Sequence, residues 1–313
     1  MNPAETTVPG RPARRGGIVA LGIGLAFFAM LVLAAVFVVL PAYAVRKALA
    51  SVPRFGISGP DPITRSDVDT ATIARLGGPE KAAGRLSLYV NLPERFADDK
   101  AAAIYYLGAC GRHGARSLAR IIDSPKRQDL HRDAAAALKR IGPEAAAAVP
   151  TLSRALTHGD YEVRAHAAET LALVGPAAAG AASALIEALD DPDARVRSWS
   201  AEALGNGGVR SAGLAGKLAA LVGDSQAVVR ASAALALVRV NAEAALAVPV
   251  LTKALADNYG SVRFAAAVAL AGYGPDAREA ETSLRKLLED EAPDVRWAAG
   301  EALKAIRGVR ATR

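Results

Sequence analysis

The stretch DDPDARVRSWSAEALG, residues 190–205, contains the pattern that decides the fold. Its arginine, Arg197, follows a valine at the start of what reads as a helix, in a chain whose formal net charge is +7. The Val-Arg pair recurs in steps of 33 residues, at Val163-Arg164, Val196-Arg197, Val229-Arg230, Val262-Arg263 and Val295-Arg296. A fixed period of about 20 to 50 residues is typical of stacked supersecondary units. The chain is therefore predicted to be a repeat protein.

Two series of leucines keep the same period. The first series is Leu138, Leu171, Leu204, Leu237, Leu270 and Leu303, and the second is Leu152, Leu185, Leu218, Leu251 and Leu284. Within one unit the pattern predicts a helix over residues 181–189 and a second helix over residues 194–204, where Val196, Ser200 and Leu204 form one buried stripe. Such a helix pair is too small to bury its own stripe, so the pairs must stack on one another.

The connections between the helices also repeat. The turn inside the unit is DDPD, and its Asp193 is placed to cap the second helix. Gly-Pro pairs stand between units, at Gly142-Pro143, Gly175-Pro176 and Gly274-Pro275. The glycine is suited to end one helix and the proline to begin the next.

With these features the units resemble HEAT repeats, in particular the short bacterial type also found in the lyases that attach bilins to phycobiliproteins. The HEAT pattern has an aspartate in the turn and an arginine six residues later. This sequence has that pair as Asp191 with Arg197, Asp224 with Arg230, Asp257 with Arg263 and Asp290 with Arg296. His158 replaces the aspartate before Arg164, and Leu130-His131 stands where the next Val-Arg pair upstream would be.

The resemblance covers about residues 67–308, which hold seven helix pairs preceded by a half unit. It implies an all-α, right-handed α-solenoid in which each arginine pairs with a turn aspartate of its own or the adjacent unit as a structural ladder. Composition agrees with an all-α fold, because apolar residues make up 52% of the chain and aromatic residues only 5%.

The N-terminal part reads as a membrane anchor. After a basic tail, residues 1–17, the segment 18–40 is free of charged residues and spans about 34 Å as a helix. The alternative is a secretory signal cleaved after Ala44, but the apolar run is longer than the about 7 to 15 residues of a signal peptide. Residues 41–66, rich in proline and glycine, are predicted to be a linker, and residues 309–313 a short tail.

The charge distribution bears on orientation and on partners. Three basic residues precede the apolar segment and three follow it, so charge bias does not decide the orientation, and the signal-like layout of a basic stretch before the apolar run favours repeats outside the cytoplasm. The Ala- and Arg-rich composition and the short repeat type indicate a bacterial protein, which would then lie in the inner membrane. The first 60 residues hold six Lys/Arg and one acidic residue, which leaves the rest of the chain at a net charge of +2. A repeat region so close to neutral does not favour nucleic-acid binding.

The sequence gives little support for catalysis. Cys110 is the single cysteine, so an intrachain disulfide is excluded and a Cys/His metal cluster is not expected. None of the four histidines, His113, His131, His158 and His166, is followed by glutamate, and no nucleophile elbow, Walker loop or zinc-protease motif is present. We therefore expect no cofactor, metal or small-molecule substrate.

The function that remains is a non-catalytic scaffold that binds a protein partner on an extended surface. Three large aromatic residues interrupt the repeat and are candidate partner contacts: Trp199, Phe264 and Trp297. The alternative interpretation of each is that it fills a gap between helices of small residues. The alternative function is a lyase-like or chaperone-like HEAT-repeat enzyme that acts on a bound protein.

Overall fold

The computed structural model describes residues 40–50, 70–92 and 99–308, in which every regular element is a helix and no strand occurs. The first helices are α1 (Leu40–Ala50), α2 (Pro79–Asn91), α3 (Lys100–Ala109), α4 (Arg112–Ile122), α5 (Gln128–Ile141), α6 (Val149–Ala155) and α7 (Tyr161–Leu173). They are followed by α8 (Ala182–Ala188), α9 (Ala194–Asn206), α10 (Leu214–Leu221), α11 (Ala227–Arg239), α12 (Ala244–Ala254), α13 (Gly260–Tyr273), α14 (Glu281–Lys286) and α15 (Pro293–Ile306). The prediction of an all-helical repeat solenoid is confirmed.

From α2 onward the helices form successive pairs, α2 with α3 through α14 with α15, and residues 70–75 form a helical turn before the first pair. The second helices, α7, α9, α11, α13 and α15, pack extensively on one another, whereas successive first helices touch much less. When a stack of helix pairs curves, the helices that pack most closely on one another lie on its inner side. The second helices therefore line the inner surface.

The two leucine series form the centre of the stack. Leu138, Leu171, Leu204, Leu237 and Leu270 on the second helices have no exposed surface, and the same is true of the first-helix series. The valine before each ladder arginine is also buried. Alanines fill most of the remaining core positions, and their small side chains let neighbouring helices approach closely. Each unit thus buries its stripe only because the next unit covers it.

The glycines between units have a backbone conformation that other residues avoid. Gly142, Gly175, Gly208 and Gly274 share one register of the 33-residue repeat and have positive φ values of 62°, 61°, 60° and 54°. At the same register Asn241 has φ 57°, the one positive φ of a non-glycine residue in the described ranges. Asparagine tolerates this region better than other side chains.

The junctions are of two kinds. After Gly142, Gly175 and Gly274 the proline begins a 3₁₀ helix. The junctions at Gly208 and Asn241 lack proline. There the next amide is free to donate to the carbonyl five residues earlier, from Val209 to Leu204 at 3.1 Å and from Ala242 to Leu237 at 3.0 Å. This bond closes the helix end as in a Schellman motif.

The N-terminal region differs from the prediction at one point. Residues 41–50, assigned to the linker, form most of α1, and Val45 and Ala48 are buried where α1 packs on α2. None of the described helices is long and apolar enough to cross a membrane. The predicted membrane segment, up to residue 39, lies outside the described residues, as do residues 51–69 and 309–313.

We predict that Asn241→Val destabilises the solenoid by about 1–2 kcal/mol, because a β-branched side chain at positive φ clashes with its own backbone. Asn241→Gly is the matched control and should leave stability unchanged or slightly higher. The measurement is the midpoint of urea unfolding followed by circular dichroism. Equal midpoints for the valine and glycine variants would contradict the strain at this junction.

Candidate functional site

Each ladder arginine joins two successive units through both edges of its guanidinium group. Arg197 donates from Nε to Asp224 Oδ2 at 2.9 Å and from Nη2 to Asp224 Oδ1 at 3.0 Å, and Asp224 lies in the turn of the next unit. Its Nη1 donates to the carbonyls of Asp191 and Pro192, in the turn of its own unit, at 2.7 and 3.1 Å. Arg197 is therefore a brace between two turns.

The aspartate of each rung is held by the turn in which it lies. Asp224 Oδ1 also accepts the amide of Gln226 at 2.8 Å, and Asp290 accepts the amide of Ala292 at 2.9 Å. The same bidentate arrangement joins Arg164 to Asp191, Arg230 to Asp257 and Arg263 to Asp290, with Nε–Oδ2 distances of 2.7 Å. Asp191 thus serves two arginines, one through its carboxylate and the other through its carbonyl.

Burial makes these ion pairs stronger than surface pairs. The side chains of Arg263 and Asp290 are only 8% and 6% exposed. The hydrogen bond from Arg263 lowers the pKa of Asp290, and that from Arg230 lowers the pKa of Asp257. An aspartate whose pKa is lower in the folded state stabilises the fold above its unfolded pKa of about 3.9, and this contribution disappears as the pH falls through the folded value. The ladder is thus intact at neutral pH.

Toward the N-terminus the ladder continues in a different chemistry, which the sequence showed only as a departure from the pattern. His131 lies at an arginine position and His158 at an aspartate position, and their Nδ1 and Nε2 atoms are 3.0 Å apart. His158 Nδ1 accepts a hydrogen bond from the amide of Asp160 at 3.0 Å, just as each ladder aspartate accepts one from the amide two residues after it. Because Nδ1 of a neutral imidazole is then the acceptor, its Nε2 carries the hydrogen and donates to His131. His131 Nε2 then donates to the carbonyl of Ser124 at 2.9 Å. This histidine pair is an uncharged rung in the same register.

The three candidate aromatic residues do not form one cluster. Phe264 and Trp297 have the same register on α13 and α15, whereas Trp199 has the register of His166 and Ser232. Trp199 and Phe264 are half-buried against the core, and Trp297 is 61% exposed. Trp297 lies on the last described helix, on which no described unit stacks.

The inner surface changes character along the stack. One solvent-facing row on the second helices reads Glu169, Glu202, Leu235, Val268 and Glu301. A parallel row reads Glu162, Arg195, Val228, Ser261 and Asp294. The surface is therefore charged on α7 and α9 and largely apolar on α11 and α13. This apolar region is visible in the sequence only when the exposed positions of successive repeats are compared at the 33-residue period.

The described residues offer little chemistry for catalysis. They contain no group of three or more His, Cys, Asp or Glu side chains that could hold a metal ion. Burial raises the pKa of the Cys110 thiol to about 12, so it is protonated at neutral pH and is a poor nucleophile.

The stacked helix pairs and their arginine–aspartate ladder define an α-solenoid of short helical repeats. The chain belongs to the HEAT-repeat family, because the family model described as HEAT repeats matches residues 115–205, 182–271 and 248–313. No curated protein matches the chain.

Solved structures agree with this assignment at the level of the fold. An engineered protein from the Northeast Structural Genomics Consortium is 23% identical with a TM-score of 0.57, over 85% of this chain and 78% of that one. The archaeal HEAT-like repeats protein from Thermococcus onnurineus NA1 is 14% identical with a TM-score of 0.51, over 72% of this chain and 97% of that one.

We predict that Arg197→Ala lowers the free energy of unfolding by about 3 kcal/mol, because it leaves Asp224 buried without its cation. Arg296→Ala is the matched control: Arg296 makes the same bonds to its own turn but has no bidentate carboxylate partner among residues 40–50, 70–92 and 99–308. It should cost less than about 1.5 kcal/mol. Urea unfolding of the two variants measures both values, and equal losses would contradict a bracing role for the bidentate pair.

Proposed function

We propose that this protein is a membrane-anchored, non-catalytic scaffold that holds a protein partner on the inner surface of its HEAT repeats. The observation that carries the proposal is the change of the inner surface from charged residues on α7 and α9 to apolar residues on α11 and α13. We call the apolar part, Val228, Leu235, Phe264 and Val268, the inner apolar surface.

The inner apolar surface has the properties of a protein-binding patch. Val228 is 53% exposed, and Leu235, Phe264 and Val268 are half-buried side chains that pack against the core. They come from two adjacent helices, so their apolar surface is contiguous rather than scattered. Contiguous exposed apolar surface with a polar border is typical of interaction sites.

Charged side chains provide the border. Arg195 and Glu202 precede the inner apolar surface along the stack, and Asp294 and Glu301 follow it. Trp199 on α9 is half-buried, and it lies at the register of Ser232, which faces the preceding unit. The expected partner is therefore a protein segment with an apolar centre and charged ends.

We predict that replacing both Val228 and Leu235 by serine reduces capture of the partner at least tenfold, because it removes apolar contact area from the inner surface. Leu246→Ser is the matched control, since Leu246 is 40% exposed but lies on α12, a first helix. The measurement is the amount of partner recovered with the tagged full chain after crosslinking in cells. Equal recovery with the double variant and the unchanged protein would contradict the proposal.

Anchoring is proposed for residues 18–40, with the repeats outside the cytoplasm. The long uncharged run supports an anchor over a cleaved signal. The surroundings of Val45 support it as well. Cleavage after Ala44 would interrupt α1 and place a charged N-terminus on Val45, which is fully buried against α2. Burying an unpaired charge is costly.

We predict that the full chain stays in the membrane after alkaline carbonate extraction and retains residues 1–44 by intact mass. Protease added outside spheroplasts should digest the repeats, because they lie on that side of the membrane. A mature protein that begins at Val45 and washes off membranes would show that the segment is a signal peptide. Repeats that are digested only after lysis would place them in the cytoplasm.

A further inference from the structure

The near-neutral charge of the repeat region conceals a separation of charge along the stack. Residues 70–92 and 99–141, which run from the first helical turn through α5, hold 12 Lys/Arg and 5 Asp/Glu, a net charge of +7. Residues 142–308 hold 16 Lys/Arg and 20 Asp/Glu, a net charge of −4. Because α1 packs on α2, the positive part of the solenoid is the part next to the proposed anchor.

The basic residues are most concentrated on the solvent side of α4. Arg112, Arg116 and Arg120 are spaced four residues apart, so they lie on one side of the helix, and all three are exposed. The other side of the helix is buried through Ala115 and Leu118. α4 contains no acidic residue, and no other first helix in the described ranges has three basic residues. The outer side of α4 is therefore a stripe of positive charge.

The three arginines of α4 take no part in the ladder. Among residues 40–50, 70–92 and 99–308, none forms a hydrogen bond or ion pair with their guanidinium groups. The acidic side chains next to α4 are already bonded. Asp123 accepts hydrogen bonds from Thr151 Oγ1 at 2.8 Å and Arg154 Nη2 at 2.7 Å, and Glu144 accepts the backbone amide of Arg112 at 3.0 Å. The guanidinium groups therefore face solvent with their donors open to an external anion.

α2 extends this surface toward α1. It is the first helix before α4 and contacts it, and its Lys81 is exposed beside Leu88, which is 46% exposed. The acidic residue of α2, Glu80, lies in its first turn. On α1, Lys47 is exposed and Tyr43 is 64% exposed. Basic residues beside exposed apolar and aromatic ones are typical of a membrane interface. We call Lys81, Arg112, Arg116 and Arg120 the outer basic surface.

We propose that the outer basic surface binds the anionic phospholipid headgroups of the membrane that holds the anchor. This inference rests on the proposed anchoring through residues 18–40. Leu40 is both the last residue of that segment and the first residue of α1, which has 11 residues. Given about 1.5 Å per residue in α1 and about 10 Å between the axes of packed helices, α4 is held within about 40 Å of the bilayer.

Charge and position favour lipid over an acidic protein or a nucleic acid. Anchoring makes the membrane surface a permanent neighbour, so contact with it costs less entropy than capture of a free partner. Anionic headgroups attract basic side chains within a Debye length, about 10 Å at 0.1 M salt, and the guanidinium fork matches a phosphate. The same surface repels the negative units over residues 142–308. The N-terminal units are therefore held on the bilayer while the later units extend away from it.

The first test measures how close the outer basic surface comes to lipid. Gly84 on α2 and Gly216 on α10 lie on first helices, and a side chain added at either meets nothing within 4 Å. Each is replaced by cysteine in a full chain that carries Cys110→Ala, reconstituted into vesicles and labelled from outside with an impermeant fluorescent maleimide. Energy transfer to a headgroup-labelled lipid should be at least twofold higher from position 84 when about one-third of the phosphatidylcholine is replaced by phosphatidylglycerol. Transfer from position 216 should change little.

Two triple variants with the same change in net charge make the result specific. The first removes the arginines of α4 through Arg112→Gln, Arg116→Gln and Arg120→Gln. It should reduce the gain at position 84 at least twofold. The control removes three exposed basic residues of the C-terminal units through Lys253→Gln, Arg278→Gln and Lys286→Gln, and it should keep the full gain. Equal transfer from position 84 on the two kinds of vesicle, or equal losses in the two variants, would overturn the proposal.

The same vesicles separate this inference from the anchoring on which it rests. Release of the full chain by alkaline carbonate would contradict the anchor and overturn both proposals. A chain that stays embedded but shows no dependence on lipid charge would overturn the headgroup contact alone.

The second test identifies the occupant in cells. A photo-crosslinking residue in place of Leu88 in the full chain should couple to phospholipid, and the triple glutamine variant of α4 should reduce this product. A product with a protein or a nucleic acid in place of lipid, or no lipid product, would overturn the proposal.

Discussion

The bidentate contact between an arginine and the aspartate of the next turn is the interaction on which the stack depends. The apolar faces of these helices are made largely of alanine and leucine, which pack well in several registers because they are small and alike. An ion pair with two parallel hydrogen bonds accepts only one geometry. Arg197 adds bonds to two carbonyls of its own turn, so one side chain fixes both the turn and the offset of its neighbour.

The repeats tolerate substitution where the replacement keeps the role of the original group. His158 accepts an amide two residues on, just as Asp191 does, and His131 donates to a turn carbonyl, as the arginines do. Asn241 replaces a glycine at positive φ and closes the helix end by the same bond as Gly208. The architecture therefore constrains hydrogen-bond direction and backbone conformation more strictly than residue identity.

Function is expected where the repeat changes without preserving a structural role. Leu235 and Val268 follow two glutamates in their row, and both side chains are only partly buried beside the core that the leucine series fills.

The sequence by itself determined the helix pairs, their order and their buried leucines. Each local signal recurs every 33 residues, and a residue pattern that recurs several times at a fixed period is not a chance match. It also placed Asp193 as a helix cap, which depends on neighbours in the chain. The sequence did not decide whether each arginine pairs with the aspartate of its own turn or with that of the next turn. Which aspartate lies within reach of the guanidinium group depends on how the units stack in three dimensions. The tertiary structure decided that Arg197 uses its own turn's carbonyls and the next turn's carboxylate. It also decided that Trp297 is exposed whereas Trp199 is half-buried. The exposure of a residue depends on which unit packs over it, and the sequence of a single repeat does not contain that information.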